Sequence, residues 1–263
     1  GKTSFLEAVF LFTLMDSTYS EGELCSWVNH LFLSRGDVVS SIMYLQDSTI
    51  ILDGKELTIK REGMELKLAL GDTEFSIRRH VLFPYFVGSP QVLPLCELKR
   101  RESGTYTPVY ITHYFDSYGI PESIVSLAKK RSKVEGLEIL EDELTGQYKL
   151  YKGGFPVYLI GRGALKKMLI ESAMKFADVI LVDEIEESLH PGVLAELTEE
   201  IANSSSTFFL TTQSNEALKV IYNKVKNLNL IVLKNRNAIS YTNPEDIKAI
   251  MEMEKTLNWI NYA

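Results

Sequence analysis

The first pattern along the chain is an apolar block with no polar stripe. Phe5, Leu6, Ala8, Val9, Phe10, Leu11, Phe12 and Leu14 all fall within residues 3–15. A helix that is apolar all round is buried on every side, so this block predicts a large core around it. Between residues 48 and 83 the texture changes to alternation. Ile50, Ile51 and Leu52 run into Asp53-Gly54, a two-residue hairpin signal. Leu57 and Ile59 follow; Arg61-Glu62-Gly63 then leads into Met64, Leu66, Leu68 and Leu70, and Gly71-Asp72 into Phe75 and Ile77. Period two broken by turns predicts an antiparallel meander.

Glycine and proline punctuate residues 84–108, which also hold the basic cluster Lys99-Arg100-Arg101. Val109-Tyr110-Ile111 reads as a strand, a helix over 122–131 enters at Pro121, and residues 137–151 hold two short strands around Thr145-Gly146. From Val157 onward, helix alternates with apolar strand. A helix over 164–176 carries Leu165, Met168, Leu169, Ser172 and Phe176 on one face, with Lys166, Lys167 and Lys175 away from it. Val179-Ile180-Leu181-Val182 is a continuous apolar strand of the doubly covered kind. A helix with Val193, Leu194, Leu197 and Ile201 inside, a strand over 207–210, a helix with Ala217, Leu218, Ile221 and Val225 inside, and a strand over 230–233 follow. Asn243-Pro244-Glu245-Asp246 opens a last helix. This alternation predicts an α/β fold, with a mainly parallel sheet flanked by helices beside the meander.

Composition narrows the functional classes. The 263 residues carry 28 Lys+Arg against 35 Asp+Glu, a net charge of −7, which argues against coating nucleic acid by bulk charge. Cys25 and Cys96 stand 71 residues apart, so neither a disulfide framework nor a cysteine-rich zinc site is expected. No apolar run reaches about 18 residues and no secretory pattern opens the chain, so it reads as cytoplasmic, with no membrane partner. The four histidines show no metal spacing.

Five short signals carry chemistry. Gly1-Lys2-Thr3-Ser4 precedes the buried helix and matches the end of the phosphate-binding loop G-x-x-x-x-G-K-[ST]. In that loop, helix N-terminal amides hold phosphates, Lys reaches the β and γ groups, and the hydroxyl binds Mg²⁺. The plain alternative is an ordinary helix start. The apolar strand at 179–182 ends in Asp183-Glu184, where parallel sheets bind ligands; strands also end in solvated acids. His190-Pro191 follows Glu186, Glu187, Ser188 and Leu189, and His190 reads either as a helix cap or as part of a site. Gly161-Arg162-Gly163 opens a helix with amides suited to a phosphate, or is a flexible loop. Thr211-Thr212-Gln213-Ser214 ends the next strand, where a polar side chain senses a γ-phosphate or simply caps a helix.

In this order the signals resemble the ABC-type P-loop ATPase superfamily, its soluble branch of SMC-, RecF- and OLD-like heads, and within it the stand-alone prokaryotic OLD-like AAA ATPases. The strings Ile160-Gly161-Arg162-Gly163, Leu181-Val182-Asp183-Glu184-Ile185-Glu186 and Leu189-His190-Pro191 carry the likeness. It implies one ATPase domain over 1–263: the Walker A helix and following segment in 1–47, the β subdomain in 48–83, an inserted arm in 84–155, and a signature, Walker B and switch lobe in 156–263. It implies ATP and Mg²⁺ as cofactors. Gly1, Lys2, Thr3 and Ser4 would bind phosphate, and Thr3 and Asp183 the metal. Glu184 would polarise water, and Gln213 would stand at the switch position, usually His. Gly161, Arg162, Gly163 and His190 would face a nucleotide held by a second copy. The resemblance further implies an ATP-dependent homodimer acting on a separate nuclease or effector chain, with DNA as a further partner. A nucleotide-binding scaffold with little hydrolysis and an ABC transporter subunit are the alternatives.

Overall fold

Helix α1 (Lys2–Met15) lies between two sheets, which is why it has no polar stripe. The computed structural model describes residues 2–33, 47–52, 54–63, 65–81, 92–100, 102, 104–112, 120–131, 136–142, 147–159, 161–234 and 237–260. Gly1, Asp53, Met64, residues 82–91, Arg101, His113, Thr145-Gly146 and Ile160 lie outside the described residues.

On one side of α1 is a meander of β1 (Ser48–Leu52), β2 (Lys55–Glu62), β3 (Glu65–Leu70), β4 (Thr73–Val81) and β5 (Val92–Lys99), antiparallel and paired in sequence order. Its register sets Leu57 opposite Leu70, Ile59 opposite Leu68 and Leu66 opposite Ile77, so the alternating apolar residues share one buried face. On the other side is a parallel sheet in the order β11-β10-β6, formed by β6 (Pro108–Ile111), β10 (Val179–Val182) and β11 (Thr207–Leu210). Every residue of β6 and β10 is buried, as their uninterrupted apolar runs require. Helix α2 (Glu21–Leu33) completes the core: the Phe10 ring lies 5.5 Å from Trp27 and 5.4 Å from Tyr110. Helix α3 (Ile120–Arg131) packs beside a small sheet of β7 (Leu137–Asp142), β8 (Gln147–Lys152) and β9 (Phe155–Pro156), and against α4 (Arg162–Ala173). Helices α5 (Pro191–Asn203) and α6 (Asn215–Lys224) pack on each other, followed by β12 (Leu230–Lys234), β13 (Asn237–Tyr241) and α7 (Pro244–Ile260).

The result is an α/β fold with both parallel and antiparallel sheets flanked by helices. It differs from the sequence reading in several places. The parallel sheet is present but smaller than the alternation suggests: among the described residues it has three strands, and β12 pairs antiparallel with β13 instead of extending it. A short apolar run does not reveal its partner, and Ile231 within this one is exposed. Helix α2 and strand β5 have no counterpart in the reading. Cys25 on α2 and Cys96 on β5 form a disulfide, contrary to expectation. Cys96 sits opposite Ile77 in the ladder, hence on the inner face of the meander, where α2 packs. Lys166 is not on a polar face; it is wholly buried. Arg100 is consumed by structure, its Nη1 and Nη2 donating to the carbonyls of Ser17 and Tyr19, and Lys99 pairs with Glu97 at 3.1 Å. Among the described residues, no helix is long and apolar enough to cross a membrane.

Candidate functional site

The start of α1 meets the carboxyl ends of β10 and β11. Thr3 Oγ1 donates to Asp183 Oδ2 at 2.9 Å, across 180 residues of sequence. Asp183 is wholly buried, and Thr211 Oγ1 donates to its other oxygen at 2.6 Å. The same Thr211 oxygen accepts the Glu184 amide at 2.8 Å, so one hydroxyl joins both acids to the end of β11. The Lys2 ammonium donates to the Thr212 carbonyl at 2.6 Å. The Gln213 side-chain amide donates to Glu184 Oε1. Glu186 Oε1 accepts the amides of Gln213 at 2.7 Å and Ser214 at 3.1 Å, which fastens the strand-end segment to the acidic turn. Lys2, Thr3, Asp183, Glu184 and Gln213, selected from the sequence, therefore gather in one place. Ser4 occupies the same first turn of α1.

The turn after β10 is unusual in its backbone. Glu184 has φ 48° and Ser188 has φ 65°, the left-handed region that side chains avoid. Such positions cost about 1–3 kcal/mol each and persist where surrounding bonds over-determine them. Here the bonds include Ile185 N to Thr211 O at 3.0 Å, Glu187 N to Glu184 O at 2.8 Å and Leu189 N to Glu186 O at 3.2 Å. Lys166, which the sequence places away from the apolar face and assigns no role, lies against this turn, its ammonium donating to the carbonyls of Glu184 at 2.6 Å, Asp183 at 3.2 Å and Glu187 at 3.5 Å. Burial pushes its pKa down to about 8, opposed by the charges of Glu187, Glu186, Asp183 and Glu184. Glu186 Oε2 and Glu187 Oε2 are buried without a hydrogen-bond partner among the described residues, and Lys166 is the cation that offsets their charge. A signal for Lys166 existed in the sequence. Ile170 and Ala173, four and seven residues on, are buried apolar residues on the same helix stripe.

Gly161, Arg162 and Gly163 form the entry to α4. Gly161 caps it at φ 98°, open to glycine but not to most side chains. A Cβ on Gly163 would stand 2.2 Å from the Ser188 carbonyl, so glycine there lets α4 touch the acidic turn of its own chain. His190 caps α5, with Nδ1 accepting the Gly192 amide at 3.2 Å, and Arg162 is exposed at the start of α4.

No protein-family model matches the chain, and no curated protein does. Among solved structures it is similar to one described as "Structural biochemistry of ATP-driven dimerization and DNA stimulated activation of SMC ATPases", at 15% identity and a TM-score of 0.34, over 54% of this chain and 95% of that one. At that level the likeness carries no functional argument.

The residues themselves can be tested against a nucleotide and its metal. Among the described residues, no group of three or more His, Cys, Asp or Glu side chains is arranged to hold a metal ion. Magnesium in phosphate sites needs less, since it keeps several waters and takes one or two protein ligands besides phosphate oxygens. A hydroxyl and a carboxylate 2.9 Å apart, with a lysine whose exposed ammonium engages a carbonyl, fit that donor set.

Proposed function

We propose that the chain is an ATP-binding and ATP-hydrolysing switch of the ABC type with an SMC- or OLD-like head, a single ATPase domain working in the cytoplasm. The 2.9 Å bond between Thr3 and Asp183 carries the reading, because it joins a Gly-Lys-Thr helix start to an acid-tipped parallel strand. Bound Mg-ATP would supply the transferable phosphoryl group and the charge to be neutralised. Lys2, with the first-turn amides of α1 including Ser4 and the preceding Gly1, would hold the phosphates. Thr3 and Asp183 would hold the metal. Glu184 would orient the attacking water, with Gln213 beside it as sensor. Gly161, Arg162, Gly163 and His190 would meet the nucleotide of a second copy, so that ATP bridges a homodimer. That dimer would act on an effector or nuclease chain, or on DNA.

The test is calorimetry on the full-length protein. Mg-ATP binding is expected, lost on magnesium removal and in Lys2→Ala; a protein that binds no Mg-ATP overturns the reading. The Gln213–Glu184 bond favours a second reading, a nucleotide-binding scaffold, because it engages the carboxylate that would serve water. Glu184→Gln should retain ATP, trap the dimer in light scattering and lower turnover by about two to four orders of magnitude. Equal turnover in both proteins would favour the scaffold.

A further inference from the structure

Two adjacent lysines of α4 have opposite fates. Lys167 reaches the surface and pairs with Glu171, Glu196 and Glu200 at 3.6, 3.3 and 3.5 Å. Lys166 is wholly buried and donates to three main-chain carbonyls, those of Asp183, Glu184 and Glu187. An ammonium has three donors and no acceptor, so three carbonyls converging from one turn match it. Those carbonyls span the left-handed residue Glu184 and lead to the left-handed residue Ser188, whose own carbonyl abuts Gly163. The acidic turn is thus held from below by one side chain of α4 and met by that helix's first turn.

We propose that Lys166 is a positioning residue: by fixing the carbonyls of the turn it aims the Glu184 carboxylate, and it ties the placement of that carboxylate to the Gly161–Gly163 end of α4. The role rests on the nucleotide reading given above. Lys166 itself touches no reacting group; it acts through Glu184. Loss of the tether should therefore spare nucleotide binding, which Lys2 and Thr3 dominate, and impair the step that needs an aimed carboxylate. Misplacement by about 1 Å from a remote change costs up to about a hundredfold in rate.

The test compares wild type, Lys166→Met and Lys166→Arg in the full-length protein by Mg-ATP calorimetry and steady-state kinetics. Lys166→Met is expected to bind Mg-ATP with nearly wild-type affinity while kcat falls about ten- to a hundredfold. Lys166→Arg, which keeps the charge and the donors, should recover most of kcat. Should the methionine variant fail to fold, Lys166→Gln is read in its place. A variant with wild-type kcat, or one that loses binding and turnover in equal proportion, overturns the positioning role while leaving the nucleotide reading intact. A wild-type protein that binds no Mg-ATP overturns that reading and this role together.

Discussion

Thr211 concentrates three partners on one oxygen and its carbonyl. Its hydroxyl donates to Asp183 and accepts from the Glu184 amide, and its carbonyl accepts from Ile185. Thr211→Val keeps the shape but strips both hydroxyl bonds, leaving a buried carboxylate oxygen and an amide short of partners. We expect a loss of about 1–3 kcal/mol, the usual cost of an unsatisfied buried polar group, measured as a lower urea midpoint with an unchanged slope. An unaltered midpoint would mean that water replaces the hydroxyl. At this scale the sequence is legible where a motif pairs residue type with position: Lys2, Thr3, Asp183, Glu184 and Gln213 stand in such motifs and gather in one place. For Lys166 the stripe it shares with Ile170 and Ala173 hints at burial but not at a role, because the stronger apolar face runs through Leu165 and Leu169 and a lysine by type belongs in water. Nothing local reveals that three carbonyls from 17 to 21 residues downstream converge on it. Glu186 stands in the sequence only as a member of the run after Asp183-Glu184, since its acceptor role depends on amides 27 and 28 residues further on.

Among elements, α2 shows how a helix unread in the sequence is nonetheless encoded there. Ser20 and Glu23 form a capping box: the Ser20 amide donates to Glu23 Oε2 at 2.9 Å, and the Glu23 amide to Ser20 Oγ at 3.4 Å. Lys130 of α3 adds a 2.7 Å ion pair to the same carboxylate. Burial alone would raise the Glu23 carboxyl, but the bonds from Lys130 and Ser20 outweigh it and hold its pKa below the ordinary value near 4.5. A carboxylate depressed in the folded state stabilises above its unfolded pKa and loses that contribution as pH falls through the folded value. Glu23→Gln should therefore be less stable than wild type near neutrality, and the gap in thermal midpoint should close in acid. A gap that persists below the folded pKa would assign the effect to packing. The meander is legible because alternation and turn residues repeat each other's message, whereas β12 carries only an apolar run, and nothing in that run marks Asn237–Tyr241 as its antiparallel partner.

For the whole molecule, the Cys25–Cys96 bridge is the one covalent tie between distant segments among the described residues, joining α2 to the last strand of the meander over 71 residues. Closing a loop of that length stabilises by about 2–4 kcal/mol, chiefly by restricting the unfolded chain. Cys96→Ser should cost that much in non-reducing buffer, and reductant should lower wild type to the same midpoint; peptide mapping without reduction should recover the linked pair. Equal midpoints without reductant would mean that the thiols stay apart in solution. In a reducing cytoplasm the protein would have to manage without this tie. The spacing of two cysteines in sequence could not disclose it, since their meeting follows from α2 lying across the meander's inner face.

Helix α1 carries a consequence for how this chain can change over generations. A surface helix offers its solvent side to drift, so substitutions accumulate in a 3.6-residue rhythm. From residue 9 to residue 15, every position of α1 is buried between the two sheets. No rhythm is available to such a segment, and each exchange must be answered by a matching change of volume in one sheet or the other. Lineages descended from this chain should therefore keep α1 as an almost uniform apolar block of fixed length, with the short polar start at Lys2 and Thr3 held in place by a rod that cannot be shortened, rotated or resurfaced.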